Sequence, residues 1–149
     1  CIKGPNIMKG YWNRPDATAS AIDELGWFHS GDVGYLDEEG YLYICDRLKD
    51  MVISGGENVY PAEVESVLFE HPAVAEVAVI GLPDDKWGEA VTAVAALVPG
   101  ADLSVEQLRS FAETKLARYK LPLRLHVVDA LPRNPAGKVL KFQLRESLA

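Results

Sequence analysis

The chain has 149 residues, 48% hydrophobic and 25% charged, with a formal net charge of −7. This is ordinary soluble globular material, long enough to bury a core, and its acidity argues against a general nucleic-acid binder. Two cysteines, Cys1 and Cys45, make neither a disulfide framework nor a metal-ligand cluster and fit a reducing, cytoplasmic setting.

The apolar run at residues 90–98 is strand-length, so no transmembrane segment is expected. No basic leader precedes an apolar stretch, which argues against secretion. The chain begins with Cys and reads as a piece of something larger, whereas residues 144–149 read as a natural end. Charge is unevenly spread: from Lys115 onward there are eight basic residues against two acidic ones, giving +6 there and −13 for the first 114 residues. A basic tail on an acidic body is either a local site for a small polyanion or a solvated basic face.

Residues 1–46 are dense in turn formers: Gly4-Pro5-Asn6, Asn13-Arg14-Pro15-Asp16 and Asp37-Glu38-Glu39-Gly40. A short helix is expected at 16–20, capped by Asp16 or Thr18. Strands are expected at 27–28, 34–36 and 41–45, the last two forming a hairpin. So small a β piece has little core of its own.

After Asp50 the pattern changes. A short strand at 51–54 runs into Gly55-Gly56, and Pro61 opens an amphipathic helix to about His71 through Val64, Val67 and Leu68. Residues 74–80 and 90–98 read as buried strands joined by a Pro83-Asp84-Asp85 loop. Ser104 and Gln107 form a capping box for a helix to about Arg118, whose inner face is Val105, Leu108, Ala112 and Leu116. A third strand at 125–128 and a terminal helix at 141–148 complete the chain. The fold class is α+β: a small three-stranded sheet covered by helices plus a β-hairpin, preceded by a β-rich tail of a larger N-terminal domain. The boundary is expected at the charged run 46–50, dividing the chain into 1–48 and 49–149.

Several loops carry candidate chemistry. Lys138 ends Pro132-Arg133-Asn134-Pro135-Ala136-Gly137-Lys138, a pre-set loop that either aims a mobile charge at a phosphate or carboxylate or is a solvated turn. Asp32, behind the turn that begins at Gly26, suits a vicinal diol such as ribose, or caps its own backbone. Arg47 either reaches ribose or phosphate oxygens or makes a surface ion pair with Asp46 or Asp50. Gly55-Gly56 lets backbone approach a ligand or another segment closely, and is not a phosphate loop.

The order and wording of these segments resemble the C-terminal end of the adenylate-forming enzymes, which include acyl-CoA synthetases, luciferases and peptide-synthetase adenylation domains. The matching pieces are Gly10-Tyr11, 26–32, 40–61 with Glu63 and Glu65, Gly81-Leu82-Pro83-Asp84 with Trp87-Gly88-Glu89, Lys120-Leu121-Pro122, and 131–138. The stretch Ser54-Gly55-Gly56-Glu57-Asn58-Val59-Tyr60-Pro61 is similar to the acyl-CoA synthetase branch.

The resemblance implies an ATP-dependent acid–CoA ligase that forms an acyl-adenylate with release of pyrophosphate. A thioester with CoA then follows after domain rotation. It assigns Lys138 to adenylation, Asp32 and Arg47 to the nucleotide and Lys49 to the hinge. Gly55, Gly56, Trp87, Tyr119 and Lys120 fall to CoA. Leu121 stands where some members carry a basic residue, so the CoA phosphate contact would pass to Lys120 or Arg124. Mg2+ would be held by ATP and by the N-terminal domain missing from this chain. The partners implied are that domain, a carboxylic acid (fatty acid favoured over aromatic acid), ATP and CoA, and the fragment alone would be inactive. The rival readings are a non-catalytic nucleotide- or carrier-binding module and a peptide-synthetase-type adenylation domain.

Overall fold

The computed structural model describes all 149 residues, which divide into two compact units, Cys1–Lys49 and Asp50–Ala149. In the first unit, α1 (Pro15–Ala21) opens at Pro15 with Arg14 in the capping position, one residue before the expected start. Proline has no N–H to leave unsatisfied, so the first helical turn accepts it. Thr18 does not cap: its hydroxyl donates to the Arg14 carbonyl at 2.8 Å and accepts the Tyr11 N–H at 2.9 Å.

Strands β1 (Asp32–Leu36) and β2 (Leu42–Arg47) form the expected antiparallel hairpin. Its turn is held by Asp37, whose carboxylate accepts the N–H groups of Glu39 and Tyr41. Those bonds, Tyr41 first, hold the Asp37 carboxyl below its ordinary range. No strand forms at Trp27-Phe28, where Phe28 makes only isolated bridges to Ile2 and Ile22. None of these 49 residues is buried, and Tyr35, Leu36, Tyr41, Leu42, Tyr43 and Ile44 all stand exposed.

The second unit is built on a long antiparallel pair, β5 (Val74–Asp84) and β6 (Gly88–Leu97), to which β7 (Arg124–Val127) adds in parallel. These are the three expected strands. The short hairpin of β3 (Val52–Ser54) and β4 (Glu57–Val59) extends the sheet to five by pairing Ser54 with Gly88. Strand β5 continues through Pro83 and Asp84, so the expected loop shrinks to the next three residues. Proline is tolerated there because β5 is an edge strand.

Alternation along β5 and β6 sends side chains to two cores. Val79, Val91 and Ala93 pack with Val52 and Val59, with Val64 and Leu68 of α2 (Pro61–Leu68), and with Leu108 and Ala112 of α3 (Val105–Ala112). Ala78, Ile80, Leu82 and Val94 pack on the opposite face against Leu131, Val139 and Leu144 of α4 (Lys141–Leu148). Helix α3 starts with the capping box of Ser104 and Gln107 and ends at Ala112, short of Arg118. Turns then carry the buried Leu116 into the same core.

The outer edge of β5 is closed by a side chain. Glu65 of α2 accepts the Val79 N–H at 2.7 Å, and its Oε1 also lies 2.7 Å from Lys141 Nζ at the start of α4.

Candidate functional site

The glycine pair forms the two-residue turn between β3 and β4. Gly55 and Gly56 have φ of +61° and +86°, the requirement of the type I′ turn that matches strand twist, and glycine meets it without strain. Gly55 is also covered: a Cβ there would lie 2.8 Å from the Trp87 ring. Trp87 is set by the turn that joins β5 to β6. Asp84 Oδ1 accepts the N–H groups of Lys86 and Trp87, while Oδ2 lies 2.6 Å from Arg124 Nη2. The two backbone bonds, Trp87 first, and then Arg124 hold the Asp84 carboxyl below its ordinary value.

Beside this turn lies a cleft of about 480 Å³ walled by Trp87 and Tyr119, with Lys86, Arg109 and Arg118 on its rim and Leu121 and Leu123 beneath. Arg109 is tied to the Pro122 carbonyl at 2.6 Å, and the Lys86 ammonium rests over the Trp87 ring. Lys120 does not line the cleft. Its ammonium is held by both Glu63 oxygens, at 2.6 and 2.7 Å, with 17% of the side chain exposed. The Glu63 hydrogen bonds raise its pKa above the ordinary value.

Lys138 closes a second loop. Asn134 Oδ1 accepts the N–H groups of Ala136 and Lys138 at 3.1 and 2.9 Å, and the Asn134 N–H donates to the Lys138 carbonyl. Arg133 braces the loop from its base, donating to the Gly137 carbonyl at 2.7 Å and facing the buried Oε2 of Glu76 on β5 at 3.2 Å. The backbone is therefore pre-formed and the lysine stands exposed.

Ion pairing sorts the basic tail. Six of its eight cations are matched: Lys115 with Glu70, Lys120 with Glu63, Arg124 with Asp84, Arg133 with Glu76, Lys141 with Glu65 and Arg145 with Asp50. Arg118 and Lys138 are left, one on the cleft rim and one at the loop tip. The two loops also rise from opposite cores. Val52 and Val59 of the glycine hairpin belong to the core under α2 and α3, and Leu131 and Val139 of the lysine loop to the core under α4.

In the first unit, Asp32 and Arg47 face one another across β1 and β2, Arg47 Nε lying 3.3 Å from Asp32 Oδ1. Arg47 thus pairs with Asp32, a partner not weighed from the sequence. The Ser30 hydroxyl takes the Asp32 N–H at 3.2 Å. Lys49 lies in the 3-10 turn Leu48–Asp50 at the limit of this unit. No group of three or more His, Cys, Asp or Glu side chains converges that could hold a metal ion. No helix is long and apolar enough to cross a membrane.

Arg118, Arg133, Asn134 and Glu76 had no role assigned from sequence. The signal for Arg118 was its place in the basic tail, but pairing of its neighbours is a tertiary property that spacing does not carry.

Comparison with known proteins gives a consistent result. The family model described as AMP-binding enzyme C-terminal domain matches residues 63–138, just over half of the chain. The chain is 57% identical over 145 residues to a long-chain-fatty-acid–CoA ligase of Mycobacterium tuberculosis, covering 97% of this chain and 28% of that protein. It is 54% identical over 144 residues to a 2-succinylbenzoate–CoA ligase of Geobacillus kaustophilus, covering 97% and 29%. Among solved structures, the o-succinylbenzoate CoA synthetase from Bacillus subtilis in complex with its acyl-adenylate intermediate aligns with a TM-score of 0.88 at 50% identity, covering 96% of this chain and 29% of that one. The chain thus spans less than a third of the length of these relatives.

Proposed function

The chain belongs to the AMP-binding enzyme C-terminal domain family, and from that membership we propose that it is the C-terminal portion of an ATP-dependent, AMP-forming acid–CoA ligase. The observation that carries the reading is the pair of unmatched cations, Lys138 and Arg118, in a tail whose other six cations are neutralised internally. Each serves one half-reaction.

Attack of a carboxylate on the α-phosphate of ATP brings two anions together. Lys138, held on a pre-formed loop, supplies the positive charge at their meeting point, an effect worth on the order of 3 kcal/mol. The Asp32 carboxylate accepts the ribose hydroxyls, with Arg47 beside it for a neighbouring oxygen. The Gly55-Gly56 turn then forms a wall for the CoA thiol arm, and the cleft between Trp87 and Tyr119 takes the CoA nucleotide, with Arg118 at its phosphate. Mg2+ would arrive with the nucleotide.

Growth of the lysine loop and the glycine turn from opposite sides of one sheet supports a rotation between the half-reactions, with Lys49 as the hinge. The unburied apolar hairpin of the first unit supports its being the tail of a larger N-terminal domain. By the same logic the 149-residue chain alone is inactive. The relatives are CoA ligases, which does not favour a non-catalytic module or a peptide-synthetase domain. Identities of 57% and 54% do not separate fatty from aromatic acids, so the substrate is proposed as a carboxylic acid.

Lys138→Ala in the full-length ligase tests the assignment. Acyl-adenylate formation, followed by pyrophosphate release, should be lost while supplied adenylate still reacts with CoA. Equal loss of both half-reactions would sink it. Lys49→Pro should slow thioester formation more than adenylation, and equal slowing counts against the hinge.

A further inference from the structure

Strand β3 joins the main sheet through one residue pair, Ser54 with Gly88. Beyond it the ladder stops, and the neighbouring amide is taken by a side chain. Glu89 on β6 accepts the Ile53 N–H through Oε2 at 2.7 Å. On the other side of the pair, the Gly55 N–H donates to the Trp87 carbonyl at 2.8 Å. The β3 side of the glycine turn is thus tethered on either side of Ser54, by backbone to Trp87 in the turn before β6 and by carboxylate to Glu89 on β6.

Space for that carboxylate is kept by Gly81, a diagonal neighbour of Glu89 across β5 and β6. A Cβ at Gly81 would lie 2.6 Å from Glu89 Oε1 and 3.1 Å from Val52 Cγ1. Gly81 is not among the glycines at positive φ, so its lack of a side chain answers to crowding and not to backbone conformation. A charged acceptor makes a stronger bond to an amide than a neutral one does. Such a bond fixes a turn that two glycines would otherwise leave loose.

We infer that Glu89 is a positioning residue for thioester formation: it sets the Gly55-Gly56 turn against Trp87, and Gly81 is the space that admits its carboxylate. The inference rests on the reading of that turn as a wall of the thiol path. It concerns only the second half-reaction, because the lysine loop is built on the opposite core.

The test measures both half-reactions in the full-length ligase, with KM and kcat for CoA separated, alongside hydrogen exchange at the Ile53 amide. Glu89→Leu and Gly81→Ala should slow thioester formation from supplied adenylate about tenfold or more and raise KM for CoA, with adenylate formation held within about twofold. Both should speed exchange at Ile53. Glu89→Gln keeps an acceptor in place and should recover most of the rate. A merely structural Glu89 would lower both half-reactions together and would not be rescued by glutamine; either result overturns the inference. Gly81→Ala removes no bonding group, so it carries the test even where Glu89→Leu folds poorly. Gly56→Val separates the two levels. If it slows thioester formation while Glu89→Leu and Gly81→Ala do not, the positioning role alone falls. If it leaves thioester formation intact, the reading of the turn falls and the inference with it.

Discussion

Arg118→Ala in the full-length ligase is the most discriminating perturbation of the cleft. Arg118 is exposed on the rim and has no carboxylate partner, whereas Lys120 is locked by Glu63 with 17% of its side chain exposed. A guanidinium about 4 Å from a phosphate gains about 1 kcal/mol in water and about 4 at an effective dielectric near 20. Exposure puts Arg118 near the lower end, about 1–1.5 kcal/mol, which is roughly a tenfold rise in KM for CoA. Steady-state thioester formation at varied CoA reads this directly, and raised salt should narrow the gap. CoA lacking its ribose phosphate should be used equally well by wild type and variant. Lys120→Ala should lower thermal stability and leave KM for CoA nearly unchanged. The reasoning is refuted if Arg118→Ala leaves KM for CoA unchanged while Lys120→Ala raises it without loss of stability.

Three further outcomes follow from the second unit. Ser104→Ala removes the side-chain half of the α3 capping box and should cost about 1 kcal/mol, read as a lower denaturation midpoint. Glu65→Ala leaves both the Val79 N–H and Lys141 without their carboxylate, a loss of about 2–3 kcal/mol in chemical denaturation, with Glu65→Gln intermediate. The Lys120 pKa lies above its ordinary 10.5, chiefly through the Glu63 hydrogen bonds. Its stabilising contribution is therefore full below that value and lost as pH climbs through the folded pKa. Glu63→Gln should flatten this alkaline limb of the stability curve.

What could be read from the sequence depended on how local its cause was. The capping box of Ser104 and Gln107, the helix opening at Pro61 and the apolar runs of β5 and β6 are set by neighbours in the chain, and they appear where expected. The strand limit at Pro83 was misplaced because proline breaks a strand only where its missing N–H is needed, and edge position is a property of the sheet. Helix α3 ended early although Leu116 continued its apolar period, because a buried leucine in a turn leaves the same pattern as one in a helix. The glycine turn was legible as a close approach of backbone, but the ring of Trp87 over Gly55 was not. The basic tail was the hardest case. Spacing left a polyanion site and a solvated face equally open, and the answer lay in six carboxylates drawn from α2, the turn after it, β5 and the 3-10 turn Leu48–Asp50.

The Glu65 bridge on β5 has a consequence beyond stability. An edge strand is a template on which another chain's strand can grow, and a domain that turns between half-reactions, as proposed above, would present its flanks repeatedly to other proteins. With the Val79 amide occupied by a carboxylate, Lys141 held beside it and Pro83 contributing no donor, an incoming strand finds no continuous row to zip onto. The edge of β5 is thereby guarded against self-association through the same contacts that fasten α2 and α4 to the sheet.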